Sequence, residues 1–309
     1  MSILCVGQMV ADILVKPMNV LDFAVDTQLV ESIGVKPGGD ALNTAIVLGK
    51  LGQPVRFCGK CGMDGFGDML TAEMENNGVS ASLVCRDPGS ATSSVIVAIN
   101  SQGERAFYYM GGTNNTFSYT DIPAAALEGC SIAHVGGTYN LPKFDGEGAA
   151  RFFQAARSQG VLTSMDVTWD SKGRWLETIA PCLPHLNFFM PSESEARQIT
   201  GKDSPEAMAA FLREKGVETA IIKLGADGCY VQGTWGSFYA PAYKVHVADT
   251  TGAGDCFVAG FLTGILRKWE LPACARFGAA VAAFCVQQVG ATAGVPGFDA
   301  VEAFIRAQG

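Results

Sequence analysis

Short apolar runs alternate with amphipathic stretches along most of the chain, and most of the amphipathic stretches end at a glycine or another turn residue. Short continuous apolar runs predict buried strands, and apolar residues that recur every three to four positions predict helices. Their alternation predicts an α/β fold in three layers, with a mostly parallel sheet between helices. The predicted strands are residues 3–6, 55–58, 132–135, 162–166, 188–190 and 219–223, and the predicted helices are residues 41–51, 68–77, 148–158, 194–200, 205–215 and 254–267.

Two stretches, at about residues 12–36 and 90–112, interrupt this alternation. The first contains candidate strands at residues 13–15 and 28–33. The second has apolar runs at 94–100 and 105–109 on either side of a Ser-Gln-Gly-Glu turn, which is the pattern of a β-hairpin. Together they predict a small β-sheet inserted into one domain that spans residues 1–309. Such a sheet would lie as a lid over the carboxyl ends of the main strands.

Composition narrows the classes of function. The 309 residues are 48% hydrophobic and carry a formal net charge of −8, with no basic cluster, which argues against nucleic acid as a partner. No apolar run reaches the roughly 18 residues that a membrane span needs. The opening residues resemble a strand and lack the basic segment of a signal peptide, so we expect a cytoplasmic protein that does not contact membranes.

The ten cysteines are scattered along the chain. Cys58 and Cys61 form the one pair at metal-ligand spacing, but no second pair accompanies them and the three histidines lie far from them in sequence. We therefore expect buried, reduced thiols, as in a reducing compartment.

The sequence Asp-Thr-Thr-Gly-Ala-Gly-Asp from Asp249 to Asp255 carries the clearest chemical signal. If a helix begins at Ala253, its free N–H groups point at whatever lies before Gly252 and Gly254, and the missing side chains let a phosphate approach the backbone. A phosphate would repel the final aspartate unless an attacking hydroxyl lay between them. Asp255 is therefore interpreted as the general base for an alcohol nucleophile. A tight turn followed by an acidic helix N-terminus would give the same local pattern.

A second glycine-rich site opens another predicted helix. Gly38 and Gly39 permit the close approach of a ligand, while Asp40 and Asn43 can hydrogen-bond hydroxyl groups. Asp12 follows the first strand, at the edge where α/β sheets bind ligands, and its carboxylate can accept two sugar hydroxyls. An ordinary helix start and a surface turn charge are the structural alternatives.

Two common nucleotide motifs are absent from the sequence. Neither Gly49-Lys50 nor Gly59-Lys60 is followed by serine or threonine, so there is no Walker-type phosphate loop. The first strand leads into Gly7-Gln8-Met9-Val10, which lacks the glycine spacing of a dinucleotide site. This argues against a nicotinamide-dependent sugar oxidoreductase.

Residues 38–62 and 249–262 resemble the two signature segments of the ribokinase or PfkB family of carbohydrate kinases, in the family's order and at its separation. The resemblance extends over nearly the whole chain. It implies a ribokinase-like, Rossmann-like α/β/α fold with a β-sheet lid, and phosphoryl transfer from ATP with Mg²⁺. In many family members a monovalent cation such as K⁺ also binds near the anion hole. The matching residues are Gly38, Gly39, Asn43, Ala45, Gly52 and Gly62 in the first segment, and Asp249, Gly252, Ala253, Gly254, Asp255, Ala259 and Gly260 in the second.

The resemblance also implies a role for each candidate site residue. Asp255 would accept the proton of the sugar hydroxyl, and Gly252, Ala253 and Gly254 would hold the transferred phosphoryl group. The implied substrate-binding positions are Asp12, Gly38, Gly39, Asp40 and Asn43; the nucleotide-binding positions are Lys223, Gly225, Gly228, Ala279 and Ala283; the Mg²⁺ position is Glu195; and the monovalent-cation positions are Asp249, Thr251, Gly290 and Gly294.

Three residues depart from the family's usual pattern. Ser192 stands where the asparagine of an Asn-x-x-Glu motif is common, and Ala279 stands where a polar residue often contacts adenine. Lys223 replaces a frequent threonine and would place a positive charge near the nucleotide phosphates. These changes bear on nucleotide affinity more than on the type of reaction.

The chain is therefore predicted to be an ATP-dependent kinase for a hydroxyl of a small sugar, such as ribose, fructose or a related ketose or polyol, and to dimerise through the lid. A nucleoside or a sugar phosphate is an alternative substrate, and Arg105 is the candidate cation for a phosphosugar. A non-catalytic sugar sensor is the alternative from another class, and the intact Gly-Ala-Gly-Asp sequence argues against it. Residues 136–140 and 166–170 are expected to select the substrate.

Overall fold

The structure is a computed structural model that describes residues 2–308. Its strands are β1 (Ser2–Gly7), β2 (Val10–Lys16), β3 (Ser32–Gly38), β4 (Val55–Cys58), β5 (Lys60–Gly62), β6 (Val79–Ser80), β7 (Cys85–Asp87), β8 (Ser94–Ile99), β9 (Arg105–Met110), β10 (Cys130–Thr138), β11 (Leu162–Val167), β12 (Phe188–Phe189), β13 (Thr219–Lys223), β14 (Cys229–Gly233) and β15 (Gly236–Ala240). Its helices are α1 (Asp40–Lys50), α2 (Gly65–Asn76), α3 (Glu147–Ser158), α4 (Leu176–Ile179), α5 (Glu193–Thr200), α6 (Pro205–Glu214), α7 (Ala253–Leu266), α8 (Leu271–Cys285) and α9 (Phe298–Ala307). None of these helices is long and apolar enough to cross a membrane.

The main sheet has nine strands in the order β15-β14-β13-β12-β11-β10-β1-β4-β6. Every pairing from β13 to β6 is parallel, and the hairpin β14–β15 closes one edge in antiparallel pairing. The carboxyl ends of the parallel strands therefore lie along one edge of the sheet, which is where α/β folds bind ligands.

Helices cover both faces of the main sheet and form two cores. Strand β1 shows why, because its successive side chains point to opposite faces. Ile3 and Cys5 pack with α1, α7 and α8, whereas Leu4 and Val6 pack with α3, α5 and α6. All four side chains are fully buried. Burial of each aliphatic one contributes about 1.5–3 kcal/mol, so a strand with two apolar faces specifies the predicted three layers.

Helix α7 is apolar on almost every side because other helices surround it. A side chain at Gly260 would meet the Cα of Gly278 at 2.7 Å, and one at Gly264 would meet the Sγ of Cys274 at the same distance. These glycines let α7 and α8 pack at close range. Tight packing of the helix body fixes the position of its N-terminus, where the candidate chemistry lies.

Strands β3-β2-β8-β9 form a separate sheet, called here the small sheet. Strand β8 pairs in parallel with β2 and in antiparallel with β9, and β3 pairs in antiparallel with β2. The hairpin predicted at residues 94–109 is confirmed. The candidate strand at residues 28–33 is wrong in its bounds: β3 runs from Ser32 to Gly38, because its last residues pair with the start of β2.

Candidate active site

Helix α7 begins at the glycine-rich turn that the sequence predicts as an anion site, and residues 252–254 are called here the cradle. Gly252 precedes its first turn with φ of 75°, a left-handed conformation that glycine adopts at low cost. A side chain at Gly252 would lie 2.5 Å from the carbonyl oxygen of Ala291. The N–H of Ala253 donates to the carbonyl oxygen of Thr250 at 3.2 Å, and the other N–H groups of the first turn have no partner within the helix, so this turn can bind an anion.

Asp255 lies in that first turn and is 8% exposed. Its Oδ2 accepts a hydrogen bond from Nδ2 of Asn43 at 2.9 Å. Burial, together with repulsion from Asp40, holds the pKa of Asp255 well above its ordinary value. The Oδ1 of Asn43 is buried without a protein partner and can accept a hydrogen bond from a ligand. The two glycine-rich motifs therefore meet around one carboxylate that has the character of a base.

Asp12 approaches the same region from the small sheet. Burial raises the pKa of its carboxyl group to about 7. A side chain at Gly38 would overlap the Asp12 carboxylate, and one at Gly39, where φ is 94°, would lie 2.8 Å from the carbonyl oxygen of Gln8. Both glycines are therefore required by packing, and Gly38 also leaves the Asp12 carboxylate accessible beside it.

A polar cluster beside Asp12 was not predicted from the sequence. Nδ2 of Asn114 donates to the hydroxyl of Tyr109 and to the carbonyl oxygen of Met9, both at 3.1 Å, and Oδ1 of Asn114 is buried without a partner. Gln8 donates to the same Tyr109 hydroxyl at 3.5 Å. The sequence predicts Tyr109 as a strand residue of the hairpin, but only the pairing of β9 with β8 brings it to this face.

A cavity of about 690 Å³ opens on the other side of the cradle. Its wall includes each predicted nucleotide position, Lys223, Gly225, Gly228, Ala279 and Ala283, together with Glu195, Asp40 and residues 252–255. Its volume is in the range of small-molecule and nucleotide sites. Asp255 and the cradle thus lie between a large cavity and the polar cluster around Asp12.

Lys223 lines this cavity. Its Nζ donates to Oδ2 of Asp166 at 2.5 Å. A Cβ atom added at Gly254 would lie 3.1 Å from the same Nζ. Although burial acts to lower the pKa of Lys223, attraction by Asp166 and Glu195 raises it. The ammonium group is therefore charged and faces the anion cradle. The sequence placed Asp166 in a substrate-selecting segment and gave no sign of this ion pair.

Three carboxylates surround Lys223 and affect one another. Burial raises the pKa of Asp40 to about 7, and repulsion from Asp166 and Glu195 adds to the shift. The pKa of Glu195 is also raised, by burial and by Asp166. No group of three or more metal-ligating side chains is preassembled between residues 2 and 308. Mg²⁺ commonly takes only one or two carboxylates plus phosphate oxygens, so this acidic wall fits it.

Comparison with known proteins identifies the family. The model of the pfkB family carbohydrate kinases matches residues 1–297. The chain belongs to this family. It is 30% identical over 249 residues to an uncharacterized sugar kinase of Archaeoglobus fulgidus, an alignment that covers 81% of this chain and 98% of the relative. The predicted activity class, a kinase that phosphorylates an alcohol group of a carbohydrate, is thereby confirmed.

Two solved structures of proteins named as ribokinases share the fold. Arabidopsis thaliana ribokinase complexed with ribose and ATP superposes with a TM-score of 0.87 at 23% identity, covering 99% of this chain and 98% of that one. The proposed ribokinase II of E. coli in complex with ATP and Mg²⁺ superposes with a TM-score of 0.86 at 22% identity, covering 99% of both chains. The predicted ribokinase-like fold is confirmed.

The residues implied as a monovalent-cation site come together but leave no free carboxylate. Oδ1 of Asp249 accepts from the backbone N–H of Thr251 at 2.8 Å, and Oδ2 accepts from that of Gly290 at 2.9 Å. Nη2 of Arg105 also contacts Oδ1, at 2.5 Å. Gly294 packs against the carbonyl groups that end α8 rather than against Asp249. These residues do not fit a K⁺ site, because a guanidinium group already neutralises the carboxylate.

The two segments expected to select the substrate lie in different places. Asp166 and Thr168 line the large cavity, whereas the carboxylate of Asp170 accepts three backbone N–H groups of its own loop, from Lys172, Arg174 and Trp175. In the other segment, a side chain at Gly137 would collide with that of Gln8. Residues 136–140 therefore adjoin the polar cluster, and most of residues 166–170 do not.

Ser192, in the position of the usual asparagine, caps α5: its hydroxyl accepts from the N–H of Glu195 at 3.4 Å, and its own N–H donates to Glu195 at 2.7 Å. Cys58 and Cys61 are buried, as expected, and all ten cysteines are free thiols.

Proposed function

We propose that this pfkB family kinase transfers the γ-phosphoryl group of ATP to a primary hydroxyl group of a small free sugar. The sugar is ribose, fructose or a related ketose or polyol. One observation carries the proposal. The buried Asp255, in contact with Asn43, lies in the first turn of α7, between the large cavity and the polar cluster around Asp12. A base and an anion cradle on one helix turn suit in-line transfer between two bound substrates.

In the proposed reaction Asp255 accepts the proton of the attacking hydroxyl. Its raised pKa makes the carboxylate a stronger base than an exposed aspartate, and Asn43 holds it in place. The N–H groups of Gly252, Ala253 and Gly254 stabilise the charge that develops on the transferred group. Lys223 adds a fixed positive charge at the same position.

ATP is assigned to the large cavity and the sugar to the polar cluster. The ribose and ATP named for the Arabidopsis thaliana ribokinase support this pair of substrates. We assign Mg²⁺ to Glu195, on the acidic wall of the large cavity. When bound there with ATP, Mg²⁺ would neutralise phosphate charge and counter the burial and the repulsion that raise the pKa of Glu195.

A sugar phosphate is a weaker candidate because the cation suggested for it is engaged elsewhere. Arg105 pairs with Asp249, so its charge is not free for a second phosphate group. The groups near Asp12 that lack partners, Oδ1 of Asn43 and Oδ1 of Asn114, are neutral acceptors suited to hydroxyl groups. A nucleoside presents hydroxyl groups of the same kind and remains the second candidate.

Phosphorylation of a substrate panel would test this proposal. The panel contains pentoses, hexoses, their monophosphates and nucleosides, with MgATP as donor and product identified by mass. We expect a free sugar to give the highest kcat/KM. A nucleoside or sugar phosphate preferred by tenfold or more would replace the proposed substrate, and no sugar-dependent ADP formation at all would favour the non-catalytic sensor.

We also propose a cytoplasmic homodimer that forms through the small sheet. The ten free cysteines suit a reducing compartment. Alternation of side chains places Ile33, Val35, Ile96 and Tyr108 on the face of the small sheet that does not carry Asp12, and all four are exposed. A second copy of the same face would cover this apolar surface.

A further inference from the structure

Arg105 is the first residue of β9, at the tip of the small sheet. It pairs in register with Ile99, and Tyr109 four residues later pairs with Val95, the neighbour of Asp12. Since side chains alternate along a strand, Arg105, Tyr109 and Asp12 lie on the same face. This is the face that approaches the active site, so the small sheet presents a guanidinium group to the main domain.

The partner of Arg105 is a carboxylate beside the phosphate cradle. The side chain of Asp249 is 1% exposed and that of Arg105 is 20% exposed. A buried carboxylate needs a positive charge or several hydrogen bonds to remain ionised. Asp249 has both, because two backbone N–H groups and the guanidinium group contact it. No other lysine or arginine between residues 2 and 308 forms an ion pair with it.

Asp249 determines how two segments of the cradle meet. Its bonds to Thr251 and Gly290 join the loop before α7 to the loop after α8. One residue further along each loop, Gly252 packs directly against Ala291. A shift of the Asp249 carboxylate would therefore move the N–H groups of residues 252–254, which face the phosphoryl group.

We propose that the guanidinium group of Arg105 takes the place of a bound monovalent cation at Asp249, so that activity does not require K⁺. Arg105 is then a positioning residue: when the small sheet lies in place, its contact with Asp249 holds the N–H groups of the cradle in position. The inference rests on the proposed kinase function. Arginine suits this role because its guanidinium group is always charged and carries five donors in a fixed plane. A cation fixed to the small sheet is present only when that sheet is in place over the sugar, whereas a free ion would bind regardless of the sheet.

The test compares the unmodified protein with Arg105→Ala in buffers that contain either K⁺ or the bulky tetramethylammonium ion. The unmodified protein should show the same kcat in both buffers. In tetramethylammonium, Arg105→Ala should lose between about 5- and 150-fold in kcat, the usual range for coupling between sites, and K⁺ should restore part of that loss.

A second measurement does not depend on activity. Without nucleotide or sugar, K⁺ should raise the Tm of Arg105→Ala and leave that of the unmodified protein unchanged, because only the variant has an unpaired buried carboxylate that a small cation can reach. This separates failure of the inference from failure of the proposed function. Arg105→Lys, which keeps the charge, should stay closer to the unmodified protein in both measurements.

Lys16 supplies the matched control. It lies at the same end and on the same face of the small sheet, is exposed, and forms no ion pair within residues 2–308. Lys16→Ala should behave as the unmodified protein does in both buffers. The inference is overturned if the unmodified protein itself needs K⁺, or if Arg105→Ala matches Lys16→Ala in kcat and in its response to K⁺.

Discussion

At the scale of single residues, the site depends on carboxylates held in environments that raise their pKa. Asp255, Asp40 and Asp12 are all affected, and burial is the largest cause for each. Such a shift disfavours the charged form, which makes a carboxylate a better base. Each of these residues therefore lowers the stability of the protein at neutral pH while supplying a group that ligands or protons can use.

Asp255→Asn should lower kcat by about three orders of magnitude, since a general base contributes roughly 10²–10⁴-fold. Its Tm should stay the same or rise slightly, because a neutral amide replaces a buried charge and Asn43 can still donate to it. Steady-state kinetics and thermal unfolding would measure both. Asp203→Asn, at a fully exposed position, is the control and should change neither. Near-normal turnover in Asp255→Asn would rule out the proposed base.

Lys223 and Asp166 allow a paired test. Lys223→Met leaves the Asp166 carboxylate buried without its partner, which costs about 3–5 kcal/mol. Adding Asp166→Asn should recover most of that stability but not the kcat, because the positive charge at the cradle is still missing. Chemical denaturation and MgATP kinetics would distinguish the two effects. If kcat recovered along with stability, Lys223 would be a structural residue only.

The raised pKa of Asp12 should make the free energy of unfolding depend on pH. Its pKa is about 7 in the folded protein and about 3.9 in an unfolded chain, so the folded state binds more protons between these values. Its contribution to stability is therefore fully present below pH 4 and is lost as pH rises to 7. Asp12→Asn should flatten the fall of Tm over this window. Asp203→Asn should retain the slope of the unmodified protein, and an unchanged slope in Asp12→Asn would contradict the assignment.

At the scale of elements, the N-terminus of α7 depends on a glycine with two constraints. Gly252 has φ of 75° and also packs against Ala291, so Gly252→Ala should cost more than the roughly 1–2 kcal/mol of a left-handed residue and should reduce kcat sharply. Gly160 has φ of 74° with no atom within 4 Å of an added side chain. Gly160→Ala should therefore cost only the backbone strain and leave kcat unchanged. Equal effects on kcat would show that packing against Ala291 does not matter.

At the scale of the whole molecule, the exposed apolar face of the small sheet predicts association of two copies. Ile96 is central on that face, between Ile13 and Tyr108, and is 41% exposed. Ile96→Glu should convert a dimer to a monomer in sedimentation velocity experiments, because a buried, unpaired charge would oppose the contact. Leu162→Glu, at a similarly exposed position on the main sheet, should leave the dimer intact. A dimer that survives Ile96→Glu would place the interface elsewhere.

The three layers and the type of reaction follow from the order of residues along the chain. A strand with two apolar faces, such as β1, can be buried only between helices. A glycine-rich turn at the start of a helix depends only on the backbone conformation of neighbouring residues. For this reason six strands of the main sheet, the cradle and Asp255 could be predicted from neighbouring residues, whereas β6, β14, β15 and α9 were not predicted. The bounds of β3 could not be predicted, because they depend on pairing with a distant strand.

Which charged side chains pair with one another depends on the three-dimensional fold. Arg105 and Asp249 are far apart in sequence, as are Lys223 and Asp166, and each pair forms because strands or loops from different parts of the chain converge. Residue types indicate that a charge is present, but its partner is set by three-dimensional packing. The resemblance to the family implied a cation at Asp249, and the fold brings the guanidinium group of Arg105 into contact with that carboxylate.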